Sequence, residues 1–437
     1  MKHSRISFVA LLLSLAVAAP SLAQWLPVTE PEQVGLSSER LERIDAVVQE
    51  CVDAGKIAGA VTLVARYGRI VQLEGYGWAD MESGREMAPD VIFRIASMTK
   101  AVTSVAVMML VEEGRLSLSD PVSRYIPAFH GTRVAIRDEE AEAGYTIVPA
   151  QREITVRDLL THTSGISYGT GYVEELYQDA GVYFWYFADK QEPIGVSMER
   201  LAGLPFVAQP GERFAYGFST DVLGYVVERV SGMTLAEFFQ TRILDPLGMK
   251  DTHFYLPPQK RDRLAAVYSA TDSTVVRAPD EGLGQGAYVD GPRVSYSGGA
   301  GLLSTAGDYA RFLQMLLNGG ELDGVRLLGP KTVQLMTSNH VGDLYAEGDF
   351  GFGLGFEIVT DVGRAGRMGT PGAYGWGGAY YTLYWVDPLE RLLAVFMAQL
   401  LPTGGLDLQG KFRTLVYQAI VESCQQPRET SELCGAR

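Results

Sequence analysis

The spacing of apolar and polar positions divides the chain into two ends with strand character and a middle without it. Residues 37–56, SSERLERIDAVVQECVDAGK, place Leu41, Ile44, Val47, Val48 and Cys51 on one helical face, and Gly55 marks the end. The run GAVTLVARYGRIVQLEGYGWAD (59–80) reads as two strands about a tight turn at Tyr67-Gly68-Arg69. FRIASMTKAVTSVAVMMLVEEGRLSL then gives an extended piece entering a helix from about Ser97 to Glu113. Ala101, Val102, Val105, Val107, Met108, Met109 and Leu110 make that helix apolar on nearly every side, which predicts a central, buried position. From about 117 to 290 no clear strand ladder is visible. Helical stretches such as ITVRDLLTHT and DVLGYVVERVSG alternate there with long Gly- and Pro-punctuated connections, and DEEAEAG (138–144) reads as a solvated loop. From 351 strand character returns in GFGLGFEIV, AYYTLYWV and RLLAVFMAQL, and LQGKFRTLVYQAIVES closes the chain as a helix. The pattern predicts an α/β (α+β) fold: a sheet domain from 24–116 and 291–437, interrupted by a mainly helical insertion over 117–290, with the active site between them.

The first residues change the picture of where the protein works. MKHSRISFVALLLSLAVAAPSLAQ carries Lys2 and Arg5, then an apolar run from Phe8 to Ala19, then Ser21 and Ala23 at the small positions of a cleavage site. The run is too short to span a bilayer, so residues 1–23 read as a signal peptide cleaved near Ala23 and the protein as periplasmic or secreted. Loss of Lys2 and Arg5 leaves 35 basic against 52 acidic residues, a net charge of −17. Such a surface repels phosphate backbones and anionic lipid, which argues against nucleic-acid or membrane-surface roles. The three cysteines, Cys51, Cys424 and Cys434, allow one bridge, whose pairing the sequence leaves open. The mature histidines, His130, His162, His253 and His340, form no H-E-x-x-H and there is no C-x-x-C, so no metal site is expected. Gly282 to Ala287 fits G-x-G-x-x-A but follows Asp280-Glu281 rather than a strand, so no cofactor is expected either.

Two serines compete for the chemistry. Gly165-Ile166-Ser167-Tyr168-Gly169 matches G-x-S-x-G, the strand-turn-helix nucleophile elbow. Its context is wrong. ITVRDLLTHTSG reads as a helix ending with Gly165 in the C′ position, and Gly169-Thr170-Gly171 cannot start another. The alternative is Ser97-Met98-Thr99-Lys100, the only S-x-x-K in the chain. Ser97 sits where an extended segment enters the buried helix, and the backbone N–H groups of such a terminus can receive an oxyanion. Lys100 lies one turn later on the same face, within reach of the serine oxygen.

With S-M-T-K stand LSLSDPVSRYIPAF, ITVRDLLTHTSGI, PGERFAYGFSTDVLG, GGAGLLSTAGDYARFLQMLLNGG and GAYGWGGAYYTLYWVDP. Together these segments, from about 34 to 423, resemble the serine β-lactamase-like superfamily of class C β-lactamases, D-Ala-D-Ala peptidases and family VIII carboxylesterases. The resemblance implies the β-lactamase/transpeptidase-like fold, an antiparallel sheet flanked by N- and C-terminal helices. It implies Ser97 as the acylated nucleophile, Lys100 as its proton acceptor and Tyr216 as a proton relay, with the Ser97 and Ala379 N–H groups as oxyanion hole. Trp376-Gly377-Gly378 stands where lactamases and peptidases carry K-T-G or H-x-G, and Phe218 where they carry the asparagine of Y-x-N. Both departures resemble the esterase branch, with Trp376, Gly377, Gly378 and Phe218 lining the substrate. The expected activity is hydrolysis of small neutral esters. The alternatives are a β-lactamase or D-Ala-D-Ala carboxypeptidase (penicillin-binding protein), or a non-catalytic peptidoglycan-binding relative. Arg364 or Arg367 could restore the missing cation. The aromatic run YVEELYQDAGVYFWYF (172–187) reads as a local core or as a flap over an acyl or alcohol pocket.

Overall fold

A computed structural model describes residues 26–425; the leader over 1–23 lies outside them, as does Cys434. Helix α1 (Ser38–Asp53) starts at Ser37, whose side chain accepts the Arg40 N–H, and buries Leu41, Ile44 and Val48. Strands β1 (Gly59–Arg66) and β2 (Arg69–Asp80) are joined by Tyr67 at φ 53° and Gly68 at φ 74°. Left-handed backbone at both central positions matches the right-handed twist of a hairpin. Short β3 (Arg85–Glu86) and β4 (Phe93–Arg94) follow, then a single 3-10 turn, Ala96–Met98, and helix α2 (Thr99–Glu112). Every residue of α2 from Thr99 to Leu110 is buried, as its all-round apolar pattern requires.

The middle of the chain is richer in strands than its pattern suggested. β5 (Arg133–Arg137) pairs with β6 (Tyr145–Pro149), and the acidic run 138–144 is their connection. Helices α3 (Val156–Leu160), α4 (Glu174–Asp179) and α5 (Ile194–Ala202) precede β7 (Pro205–Phe206), which adds to β5 in parallel. This three-stranded sheet escaped notice because neither long strand alternates: Ile136 and Ile147 are both exposed. Helices α6 (Ser219–Ser231), α7 (Leu235–Phe239) and α8 (Asp245–Leu247) complete the helical part. The hairpin β8 (Tyr268–Ala270) and β9 (Val275–Arg277), inside the span assigned to the insertion, packs Tyr268 and Val275 into the core beneath the large sheet.

The chain then returns through β10 (Leu303–Ser304), helix α9 (Ala306–Leu317), the hairpin β11 (Glu321–Leu322) and β12 (Val325–Arg326), and α10 (Pro330–Met336). It ends in β13 (Gly351–Phe352), β14 (Glu357–Ile358), α11 (Val362–Ala365), β15 (Tyr374–Gly378), β16 (Thr382–Asp387), β17 (Leu392–Ala398) and α12 (Leu408–Gln418). The main sheet is antiparallel throughout in the order β13-β14-β15-β16-β17-β1-β2-β3. Its first hairpin and its last strands come from opposite ends of the chain and meet where β1 pairs with β17. β1 is buried along its whole length. Val61, Leu63 and Ala65 face the core shared with α2 and α9, whereas Ala60 and Val64 face the one shared with α1 and α12. Cys424 is in a disulfide and Cys51 is free, which rules out a bridge between these two. Among the described residues no helix is long and apolar enough to cross a membrane.

Candidate active site

The turn that carries Ser97 is built where β4 hands over to α2. β4 pairs with β10, and the Ile95 N–H continues the ladder to the Leu302 carbonyl at 3.1 Å. The buried Arg94 guanidinium donates to the carbonyls of Ala265 and Gln285, which fixes the strand from below. The next residue, Ala96, is held at φ 39°, a left-handed conformation that a residue with a Cβ adopts only under constraint. Ser97 follows on the 3-10 turn. Behind it the Met98 carbonyl accepts from Tyr309 at 2.8 Å and Thr99 Oγ1 accepts the Leu302 N–H at 3.0 Å. Ser97 is therefore anchored on both sides. It opens onto a cavity of about 390 Å³ that is also lined by Tyr216, Trp376, Gly377 and Ala379.

Lys100 projects from the first turn of α2 beneath this serine. Its Nζ donates to Ser97 Oγ at 3.3 Å, to Tyr168 Oη at 3.0 Å and to the Gly299 carbonyl at 2.8 Å. Tyr168 stands edge-on to the Tyr216 ring, centroids 5.6 Å apart, and burial pushes its phenol well above the usual tyrosine range. Tyr216 presents its ring, not its hydroxyl, to the lysine, with Nζ 4.7 Å from the ring centroid. The Tyr216 hydroxyl accepts from Trp376 Nε1 at 3.1 Å. Ser97, Lys100 and Tyr168 thus form one hydrogen-bonded run, and Tyr216 with the indole, joined by their own hydrogen bond, stands beside it. Fully buried Asp221 supports it from behind, accepting from Ser297 Oγ at 2.5 Å and from the Gly299 N–H at 3.1 Å. This fixes Gly299, the residue whose carbonyl holds Lys100. Desolvation raises the Asp221 carboxyl above its ordinary value, and the Lys100 charge opposes that shift.

Three glycines allow the segments to approach this closely. A Cβ on Gly378 would lie 2.3 Å from the Ile95 carbonyl, so β15 reaches the nucleophile turn only with glycine there. A Cβ on Gly217 would lie 2.4 Å from the Ser167 carbonyl carbon, and one on Gly299 2.4 Å from Asp221 Oδ2. Gly378 carries the chain into Ala379, whose N–H, like that of Ser97, is not taken by any loop or turn carbonyl among the described residues. Both residues face the same cavity.

Two sequence readings need correction. Phe218 does not line the cavity. It is fully buried and packs edge-on against the Tyr168 ring at 4.9 Å, so it braces a tyrosine instead of meeting substrate. Gly165 is not a helix cap either: α3 ends at Leu160, and Gly165 has φ 82° because a Cβ there would lie 2.1 Å from the Ala208 carbonyl oxygen. Ser167 lies in this loop and accepts the Gly169 N–H at 3.1 Å. His253 pairs with Lys260, and His340 faces the Leu335 carbonyl, so neither serves a serine. His162, held neutral by burial, packs on the Tyr216 ring at 4.8 Å.

The site also contains residues that sequence reasoning passed over. Tyr168 lies inside G-I-S-Y-G, a motif whose signal points to the serine beside it. Glu357, Arg367 and Arg413 line the same cavity as Ser97. Of the two loop arginines offered as cations, Arg367 is therefore present and Arg364 is turned to the Glu347 carbonyl. The aromatic run packs as core, part of it against residues of the site. Tyr177 and Phe187 are core, whereas Phe184 packs on Tyr168 and Trp185 edge-on against Tyr380, beside Ala379.

Residues 44–418 match the β-lactamase family, and the chain belongs to it. It is a serine hydrolase of that fold. Protein Rv1367c of Mycobacterium tuberculosis is 37% identical over 84% of this chain and 92% of its own length. Esterase EstB of Burkholderia gladioli is 34% identical over 79% of this chain and 86% of its own. Among solved structures, EstCE1, a hydrolase with promiscuous acyltransferase activity, superposes with a TM-score of 0.75 at 28% identity. That match covers 87% of this chain and 99% of EstCE1.

Proposed function

We propose that this β-lactamase-family hydrolase is an exported carboxylesterase for small esters that are neutral at the reacting bond. Ser97 Oγ attacks the ester carbonyl carbon while its proton passes to Lys100. The carbonyl oxygen, now negative, is received by the N–H groups of Ser97 and Ala379. The tetrahedral intermediate collapses, the C–O bond to the alcohol breaks, and the Tyr168–Tyr216 pair returns a proton to the leaving oxygen. Water then attacks the acyl-serine by the same route in reverse and releases the acid.

The observation that carries the ester reading is Trp376. A cation at this position would neutralise a carboxylate beside the scissile bond, as a β-lactam or peptidoglycan stem requires. The indole offers an uncharged ring, and its one N–H is committed to Tyr216. The esterase named among the relatives supports the same reading, and the leader pattern of residues 1–23 supports export. The test compares kcat/KM for p-nitrophenyl butyrate, nitrocefin and a D-Ala-D-Ala peptide on one preparation. The ester is expected to lead by at least about 10²-fold, the scale of one lost charge contact, and the activity to vanish in Ser97→Ala. Parity, or a β-lactam preference, would overturn the assignment.

A further inference from the structure

The cavity above Ser97 has a second, charged end. β15 is lined on its α12 side by Gly375 and Gly377, which place bare backbone where other residues would place side chains. Leu383 and Trp385 stand opposite them on β16, where Gly375 pairs with Trp385 and Gly377 with Leu383. Glu357 pairs with Gly375 from the other side. Arg413 of α12 lies over Trp385, its guanidinium carbon 4.4 Å from the ring centroid. A groove floored by glycine therefore leads from the oxyanion end at Gly378-Ala379 to an arginine at the level of Gly375. At about 3.4 Å per residue, that path is roughly 10 Å long.

Arg413 differs from the other buried arginines of this protein. Arg66 spends its N–H groups on Glu390 and on the carbonyls of Val34, Gly35 and Glu422. Arg94 spends its own on Ala265, Gln285 and Gln399. Arg413 is only 6% exposed, yet among the described residues its guanidinium has no hydrogen bond and no ion pair. Burial, with the Arg367 charge next, lowers its pKa to about 10. The one carboxylate in the cavity is already used, since Glu357 accepts from Arg367 and from Tyr345. A cation kept at this depth without a partner is costly, and burying its aliphatic stem does not require a charge. A planar five-donor group facing a cavity suits a carboxylate.

We infer that the preferred substrate is an ester bearing a carboxylate roughly 10 Å from the ester carbonyl, running along β15 so that Arg413 holds the carboxylate while Ser97 attacks the ester. This rests on the esterase reading and names its substrate class. It is compatible with Trp376, because the anion is remote from the scissile bond.

The test uses p-nitrophenyl half-esters of straight-chain diacids from succinate to sebacate, each paired with its methyl-capped neutral analogue of equal length. The quantity read is the ratio of kcat/KM, anionic over neutral. It is expected to rise with chain length and to reach about tenfold once the carboxylate spans the groove. Arg413→Met should lower that ratio at least tenfold and Glu357→Gln should raise it, whereas misfolding would depress both esters together and leave the ratio alone. A ratio flat with length, or unchanged by Arg413→Met in protein that still turns over the neutral ester, would overturn the inference. Calorimetric binding of suberate to Ser97→Ala gives a separate reading that needs no turnover. About tenfold weaker binding in Ser97→Ala/Arg413→Met supports the anion site even if no ester is hydrolysed, and equal binding sinks it.

Discussion

Removing the Tyr168 hydroxyl tests whether the proton route is a chain or a pair. Tyr168→Phe deletes one oxygen that accepts from Lys100 at 3.0 Å, on a ring that stands edge-on to Tyr216. The ring itself should stay, because Phe184, Phe218 and Tyr216 pack around it. Two magnitudes then compete. If Tyr168 only holds Lys100 in place, the loss is one hydrogen bond of about 1 kcal/mol, roughly fivefold in rate. If it passes the proton between Lys100 and Tyr216, the loss is that of positioned acid–base catalysis, about 10²–10⁴-fold. The second outcome is expected, since the lysine meets the ring of Tyr216 and, among the described residues, reaches a phenolic oxygen only at Tyr168.

The assay is the burst of p-nitrophenol from p-nitrophenyl acetate, which isolates acylation, together with steady-state kcat/KM. Tyr168→Phe/Tyr216→Phe should be little worse than the poorer single variant, because groups on one route fail together. Ser167→Ala, one residue away, should stay within a few-fold. A Tyr168→Phe enzyme within about fivefold of the parent would refute the chain and return the relay to Tyr216 alone.

Gly378→Ala places a Cβ 2.3 Å from the Ile95 carbonyl, so β15 must withdraw from the nucleophile turn; a shift near 1 Å is expected to cost about 10²-fold in kcat/KM on esters while circular dichroism stays native. Unchanged kinetics would show that the turn tolerates the shift. Asp308, buried at the start of α9 with one oxygen unpartnered, has its carboxyl pushed up to about 6, chiefly by desolvation. Between about pH 4 and 6 the folded protein then holds a proton that the unfolded chain has released, so this group's contribution to stability falls as pH rises, by roughly 3 kcal/mol in total. Tm measured across that window should show the fall in the parent and a flatter profile in Asp308→Asn; identical profiles would remove Asp308 as its source.

What could be read from the sequence follows from how local each signal is. α1, the first hairpin and α2 declare themselves because period and burial agree over many consecutive residues. Ser97 and Lys100 are one helical turn apart, so their meeting is a local fact. Tyr168 is 68 residues from Lys100 and reaches it only through the loop that Gly165 and Gly217 allow to fold back. Its neighbours in sequence suggested a different chemistry at Ser167. Phe218 shows the converse, since two positions beyond Tyr216 the side chain has left the cavity for the core. Arg413 sits in a helix whose pattern is amphipathic in the ordinary way, and only the glycines of a strand far away in sequence open a path to it.

The placement of charge explains why these departures belong together. On the proposed reading, the groups around the scissile bond are neutral or backbone: the indole of Trp376, the phenol of Tyr216 and the N–H groups of Ser97 and Ala379, which no loop or turn carbonyl takes among the described residues. Lys100 is the one cation there, and it is turned inward to the Gly299 carbonyl and the Tyr168 hydroxyl. A cation at position 376, such as the K-T-G lysine of lactamases and peptidases, would bring a second positive charge to this end of the cavity and suit a substrate anion beside the scissile bond. Positive charge on α12, beyond two glycines, lies in the same cavity but remote from that bond. Trp376 on β15 and Arg413 on α12 thus divide the cavity into an uncharged end and a charged one. Trp376→Lys removes the indole N–H that the Tyr216 hydroxyl accepts and should therefore lower ester turnover without creating β-lactamase activity. Ester turnover falling at neutral pH, with nitrocefin hydrolysis still absent, is the result that supports this, and a gain of nitrocefin turnover with the ester rate intact would contradict it.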